Sequence, residues 1–148
     1  MVYVEKQNAA QQELQILTFA IDNVAYGVGV HQVREVKKLE GITPVPYAPS
    51  YVRGITNLRG EVVPVIDLRR RFGISEKREN NNADIMIILQ DKHPVGVLVD
   101  SVMEVLTLFD KDVERTLSTS KTDGILGVAK HDNELIIILD LAKVTFSE

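Results

Sequence analysis

The chain has 148 residues, a formal net charge of -4 and no cysteine. That length suits one domain or two tightly joined small ones. Lack of cysteine excludes a disulfide framework, a thiol nucleophile and a Cys-based zinc site, and the acidic balance argues against a nucleic-acid partner. Hydrophobic residues make up 45% and charged residues 26%, an ordinary globular profile. The apolar residues are mostly Val, Ile and Leu, which favours strands over long helices. No uncharged apolar stretch reaches the ~20 residues of a membrane span. Met1 to Glu13 is polar and is no secretory signal, so a cytoplasmic setting is expected, without direct membrane insertion.

Residues 1–13 read as a loose tail. Leu14 to Asp22 is the first predicted strand, Asn23 a turn and Val24 to Val30 the second strand, with Gly27 and Gly29 sharing a face. Val33 to Leu39 is a third. Pro44, Pro46 and Pro49 make 41–49 an extended, rigid loop. Arg53 to Arg59 and Glu61 to Ile66 form a hairpin around Gly60. Asp67 caps a short helix over Leu68 to Phe72, and Gly73 ends it in the left-handed conformation. The polar run Ser75 to Ala83 is a connector.

The pattern then restarts. Asp84 to Gln90, Val95 to Val99 and Val102 to Leu108 read as strands, Asp110 to Asp123 as a polar loop, and Gly124 to Ala129 with Glu134 to Leu139 as a hairpin. Asp140 caps a last short helix. Sliding the chain by 69 positions superposes Ile16/Ile85, Asp22/Asp91, Gly27/Gly96, Val28/Val97, Val30/Val99, Val33/Val102, Glu35/Glu104, Val36/Val105 and Leu39/Leu108. Gly54-Ile55 then falls on Gly124-Ile125, and Asp67-Leu68 on Asp140-Leu141, which makes the second hairpin three residues longer. Two similar halves follow, about 14–74 and 83–140, with 140–146 packing back as a helix. Each is expected to be a five-stranded barrel, because closure removes the exposed edges of a small sheet. Barrels this small are marginal alone and should share an apolar seam.

Candidate chemistry is sparse. His31, His93 and His131 lie in no metal-ligand pattern, and no Ser sits in a GxSxG elbow. Gly54 and Gly60 are spaced wrongly for a phosphate loop and lack the following Lys. Asp110 and Asp112 read as solvated loop charges. No cofactor motif is present and no catalytic residue is assigned. Arg69, Arg70 and Arg71 stand about 100° apart on a helix, so they form no single patch and read as a solvated face. Arg59 sits at a hairpin tip, where it either pairs with Glu61 or projects a rigid five-donor fork at a partner. A small barrel that binds nucleic acid is the alternative reading.

The stretch Val52-Arg53-Gly54-Ile55-Thr56-Asn57-Leu58-Arg59-Gly60-Glu61-Val62-Val63-Pro64-Val65-Ile66-Asp67-Leu68 resembles the core motif of the CheW-like domain family. The likeness extends to Ile42-Thr43-Pro44-Val45-Pro46 and Gly96-Val97-Leu98-Val99-Asp100-Ser101-Val102, and covers Leu14 to Val144. It implies an all-β fold of two Src-homology-3-like barrels across a hydrophobic seam. It also implies a non-enzymatic adaptor between chemoreceptor cytoplasmic tips and the regulatory domain of the histidine kinase CheA, recruited to membrane receptor arrays. Since the last helix closes the chain, the free adaptor is the expected member. Carried over by position, the receptor-binding residues are Val33, Glu35, Val36, Gly54, Arg59, Val102 and Val105. The kinase-binding residues are Ile42, Val45, Leu58 and Glu61.

Overall fold

A computed structural model describes residues 12–74, 82–115 and 124–146. The expected connector at 75–81, most of the tail and residues 116–123 of the expected polar loop lie outside the described residues. Eleven strands are described: β1 (Glu13–Ile21), β2 (Val24–Gly29), β3 (Glu35–Lys38), β4 (Val52–Leu58), β5 (Glu61–Asp67), β6 (Asp84–Gln90), β7 (His93–Val99), β8 (Ser101–Phe109), β9 (Val113–Arg115), β10 (Ile125–His131) and β11 (Glu134–Leu139). Two short helices, α1 (Leu68–Arg71) and α2 (Leu141–Phe146), follow the two later hairpins. The all-β expectation holds, and the Asp67 cap and left-handed Gly73 are both present: Asp67 accepts from the Arg69 and Arg70 N–H groups, and Gly73 has φ 74.

Four hairpins are closed by two-residue turns, Asp22-Asn23, Arg59-Gly60, Asp91-Lys92 and Asp132-Asn133, each with both residues at positive φ. Such turns match the natural twist of the paired strands, and Asn, Asp and Gly tolerate them best. Arg59 and Lys92 are the exceptions in type.

The sheets do not follow the halves of the sequence. One has the order β8-β1-β2-β11-β10-β9 and the other β3-β6-β7-β5-β4. Each takes its first hairpin from one half and its last hairpin from the other, joined by the parallel pairs β2–β11 and β5–β7. The barrel boundaries expected at 14–74 and 83–140 are therefore corrected: the halves are interleaved. One sheet also has six strands, because part of the expected polar loop is the strand β9, reached by a 3-10 turn at Asp110–Asp112.

The exchange preserves the repeat. β3, β6, β7, β5 and β4 correspond to β8, β1, β2, β11 and β10. The isolated bridge Thr43–Ile55 corresponds to β9 on β10. In each sheet the chain leaving one edge strand crosses to the far edge and pairs there, which closes the barrel. One alignment changes. Gly54 pairs with Val65 and Gly127 with Ile138, each beside a bulge, so the partner of Gly54 is Gly127 and not Gly124. The hairpins are equal in length, and the extra residues lie between β8 and β10.

Strand alternation sorts the core. Ile85, Ile87, Val65 and Leu98 fill one barrel; Ile16, Leu108, Ala129, Ile136 and Ile138 fill the other. The opposite faces meet in the expected seam, built from Leu17, Phe19, Tyr26, Val28, Met86, Ile88, Val97, Leu139 and Leu141 among others. Phe19 and Tyr26 stack with centroids 5.6 Å apart. Burial of both faces explains why β6 reads as the unbroken run Ile85-Met86-Ile87-Ile88. The same burial, with the Asp22 carboxylate nearby, raises the pKa of the Tyr26 phenol.

Candidate interaction surface

The edge strands β3 and β8 are repeat partners, and the carried-over apolar residues fall in pairs on them or, for Val33, two residues before β3. Val33 and Val102 are half-buried against the seam. Val36 and Val105 project outward, 43% and 51% exposed. The buried Asp84 draws the two edges together: it accepts from the Val102 N–H at 2.7 Å and pairs with Lys38 of β3 at 2.9 Å. The sequence places Asp84 at the start of a strand and carries no sign of this role.

Glu35 and Arg59, 24 positions apart in sequence, meet across a barrel mouth with 2.6 Å between Arg59 Nη2 and Glu35 Oε2. Of the two readings left open for Arg59, a pair with Glu61 is not formed; the side chain reaches across to Glu35 of β3 instead. Asn57 braces the turn by accepting from the Gly60 N–H at 2.8 Å. The Arg59 hydrogen bond holds the Glu35 carboxyl below its ordinary pKa, with lesser help from the charges of Arg59, Arg34 and Lys37. Both side chains stay in contact with water, Arg59 at 71% exposure.

Gly54 is different from its expected part. It is buried, and its φ of 151 lies in a region that side chains rarely adopt. A Cβ there would run into the Thr43 carbonyl oxygen and come within 2.7 Å of Ile42 Cγ2. The close approach that glycine permits is thus made by the chain's own 41–43 segment, not by a partner. Ile42 and Leu58, expected to face the kinase, are half-buried against the core around Val65, Ile85 and Ile87, while Val45 and Glu61 are exposed.

The arginine run also departs from the solvated face expected of it. Arg69 is only 17% exposed and bonds to Asp100 at 2.8 Å, with Asp22 at 3.5 Å. Burial opposes its charge, but the bonds and attraction of the two carboxylates outweigh burial and raise its pKa. Arg70 donates to the Ser50 carbonyl, and Arg71 lies over the Tyr51 ring at 5.1 Å. The three do point apart, as helical spacing requires.

Sequence reasoning missed Val62 and Leu135, repeat partners on the outer faces of the late hairpins and 66% and 65% exposed. The signal was available: Val62-Val63 breaks the alternation that a one-sided strand requires. Among the described residues no group of three or more acidic or histidine side chains could hold a metal. No helix there is long and apolar enough to cross a membrane.

Comparison with known proteins agrees with this arrangement. The family model described as CheW-like domain matches residues 15–147. A chemotaxis protein CheW of Thermotoga maritima is 35% identical over 136 residues, covering 91% of this chain and 89% of its own. That of Bacillus subtilis is 32% identical over 136 residues, covering 90% and 87%. The crystal structure of the scaffolding protein TtCheW from Thermoanaerobacter tengcongensis superposes with a TM-score of 0.82 at 33% identity, covering 90% of this chain and 92% of the other. With the family model matched over residues 15–147 and relatives above 30% identity covering nine-tenths of it, the chain belongs to the CheW-like domain family.

Proposed function

We propose that the protein is a non-enzymatic chemotaxis scaffold that couples chemoreceptor tips to the regulatory domain of the histidine kinase CheA, working in the cytoplasm at membrane receptor arrays. The observation that carries this reading is the family match over residues 15–147. The geometry supports it. Val36 and Val105 are exposed on edges joined through Asp84, with Val33 and Val102 beneath, and offer an apolar strip to a helical receptor tip. The Glu35–Arg59 pair stands beside the strip as a polar rim, which sets register and excludes wrong partners more than it adds affinity. Gly54 acts indirectly, by seating 41–43 and so the Arg59 hairpin. Val45 and Glu61 remain the exposed part of the proposed kinase surface, with Ile42 and Leu58 supporting it from beneath. No reaction is required, because an adaptor that binds two partner states unequally transmits control. Nucleic-acid binding loses its one basic cluster, since Arg69, Arg70 and Arg71 are turned to Asp100, Ser50 and Tyr51.

The test is reconstitution of receptor-bearing membranes, CheA and this protein, with kinase activity as the readout. Receptor control should require the protein. The double variant Glu35→Arg with Arg59→Glu keeps the internal pair but reverses both charges, and should lose receptor co-sedimentation while staying folded. Receptor-stimulated activity that is unchanged when the protein is omitted would overturn the proposal.

A further inference from the structure

The repeat relates two places beside the seam that differ in one decisive way. At the first, the Arg69 side chain of α1 lies between Asp22 and Asp100. The apolar positions that the repeat sets beside it are Phe19, Ala20 and Leu68. At the second, the corresponding residues are Ala142 for Arg69, His31 for Asp100, and Ile88, Leu89 and Leu141 for the apolar wall. No long side chain fills that position, and a groove of about 480 Å³ opens there, lined by all five of these residues together with Gln32 and Arg34.

The groove is built rather than frayed. Gln32 fastens the start of α2: its amide donates to Asp140 Oδ1 at 3.2 Å and its oxygen accepts from the Leu141 N–H at 3.4 Å. The His31 ring stands close against Gly29, where an added Cβ would come within 2.5 Å of His31 Cε1, so this placement of the ring relies on glycine. Leu89 is 48% exposed at the mouth. Arg34 is exposed and supplies the permanent charge at the rim. The lining therefore differs in charge from the clasped twin: His31 stands for Asp100, Asp91 keeps the carboxylate of Asp22 but does not line the groove, and Arg34 supplies a cation beside the apolar floor.

We propose that this groove docks a segment of a partner protein that presents an apolar side chain with a carboxylate close beside it. The apolar group would cover Leu89, Leu141 and Ala142 in the place that Arg69 takes in the twin, and the carboxylate would meet Arg34. None of the residues assigned above to receptor or kinase lines the groove, so this is a third contact surface.

The probe is a fluorescein-labelled helical peptide with leucines four residues apart and a glutamate beside each, compared by anisotropy with the same peptide carrying lysine for glutamate. The acidic peptide should bind at least tenfold more tightly. Arg34→Glu should invert that preference, and Ala142→Met, which fills the floor without changing charge, should weaken binding at least tenfold. Leu135→Ser, on a distant hairpin, should change nothing. Equal binding of the two peptides, no binding of the acidic one, or an acidic-peptide affinity untouched by Arg34→Glu would each overturn the proposal. Denaturant unfolding of each variant confirms that a loss comes from the groove and not from the fold.

Discussion

Replacing Gly54 by alanine isolates the close approach that seats the 41–43 segment. Two costs add. A side chain held at φ 151 occupies a sparsely populated region, at about 1–3 kcal/mol. The new Cβ also overlaps the Thr43 carbonyl oxygen, so that segment must move away. Doing so breaks the reciprocal pair in which the Thr43 N–H donates to the Ile55 carbonyl and the Ile55 N–H to that of Thr43, both at 2.8 Å. Net losses of ~1 kcal/mol per bond are typical. The sum is about 3–5 kcal/mol, a large part of the ~5–15 kcal/mol that holds a domain folded. Gly127 is the internal control. Its Cβ would meet the Glu114 carbonyl oxygen at 2.6 Å, without the positive φ, so Gly127→Ala should cost less by about 1–3 kcal/mol. Urea unfolding of both variants gives the comparison, and Gly54→Ala should lower Tm by about 10 °C. A Gly54→Ala variant within about 0.5 kcal/mol of the parent, or one more stable than Gly127→Ala, would refute the reasoning.

Three further outcomes are expected. Arg69→Met should destabilise by about 1–3 kcal/mol, since it leaves Asp22 and Asp100 without the shared guanidinium and hydrogen bonds to charged groups are worth ~1.5–3 kcal/mol; denaturant midpoints read this directly. Phe19→Ala, which removes a fully buried ring from the seam, should cost about 3–5 kcal/mol and abolish the near-ultraviolet dichroism of the stacked Tyr26. Arg59→Ala should raise the Glu35 carboxyl pKa toward its ordinary value, followed by carboxyl-carbon NMR. Because that pKa is lowered in the folded parent, the pair's contribution is present above the unfolded value and fades as pH falls through the folded one. A Glu35 titration that ignores Arg59 would show the pair to be open in solution.

Much of the strand plan was legible in the residues alone. Each two-residue turn is marked by Asp, Asn or Gly, and Asp67 and Asp140 mark the helix starts. The offset of 69 positions disclosed the repeat, because a repeated fold needs the same glycines and the same apolar alternation in the same order. Most of the candidate surface was legible only as positions in a motif. Glu35 and Arg59 looked unrelated until the fold placed them 2.6 Å apart, and Gly54 looked like a contact point until the fold filled its empty side with Thr43.

What the sequence determined by itself is local: strands, turns, caps, and two halves built alike. Which hairpin pairs with which was decided by tertiary structure. β5 is locally as able to pair beside β2 as beside β7, and only burial of the shared seam selects the interleaved arrangement. The same holds for Arg69 and Ala142. They occupy equivalent positions, and the difference in their side chains is plain in the sequence, but what Arg69 does is not: the carboxylates that hold it arrive from β1–β2 and β7–β8, far away in sequence and adjacent only once the barrels have formed.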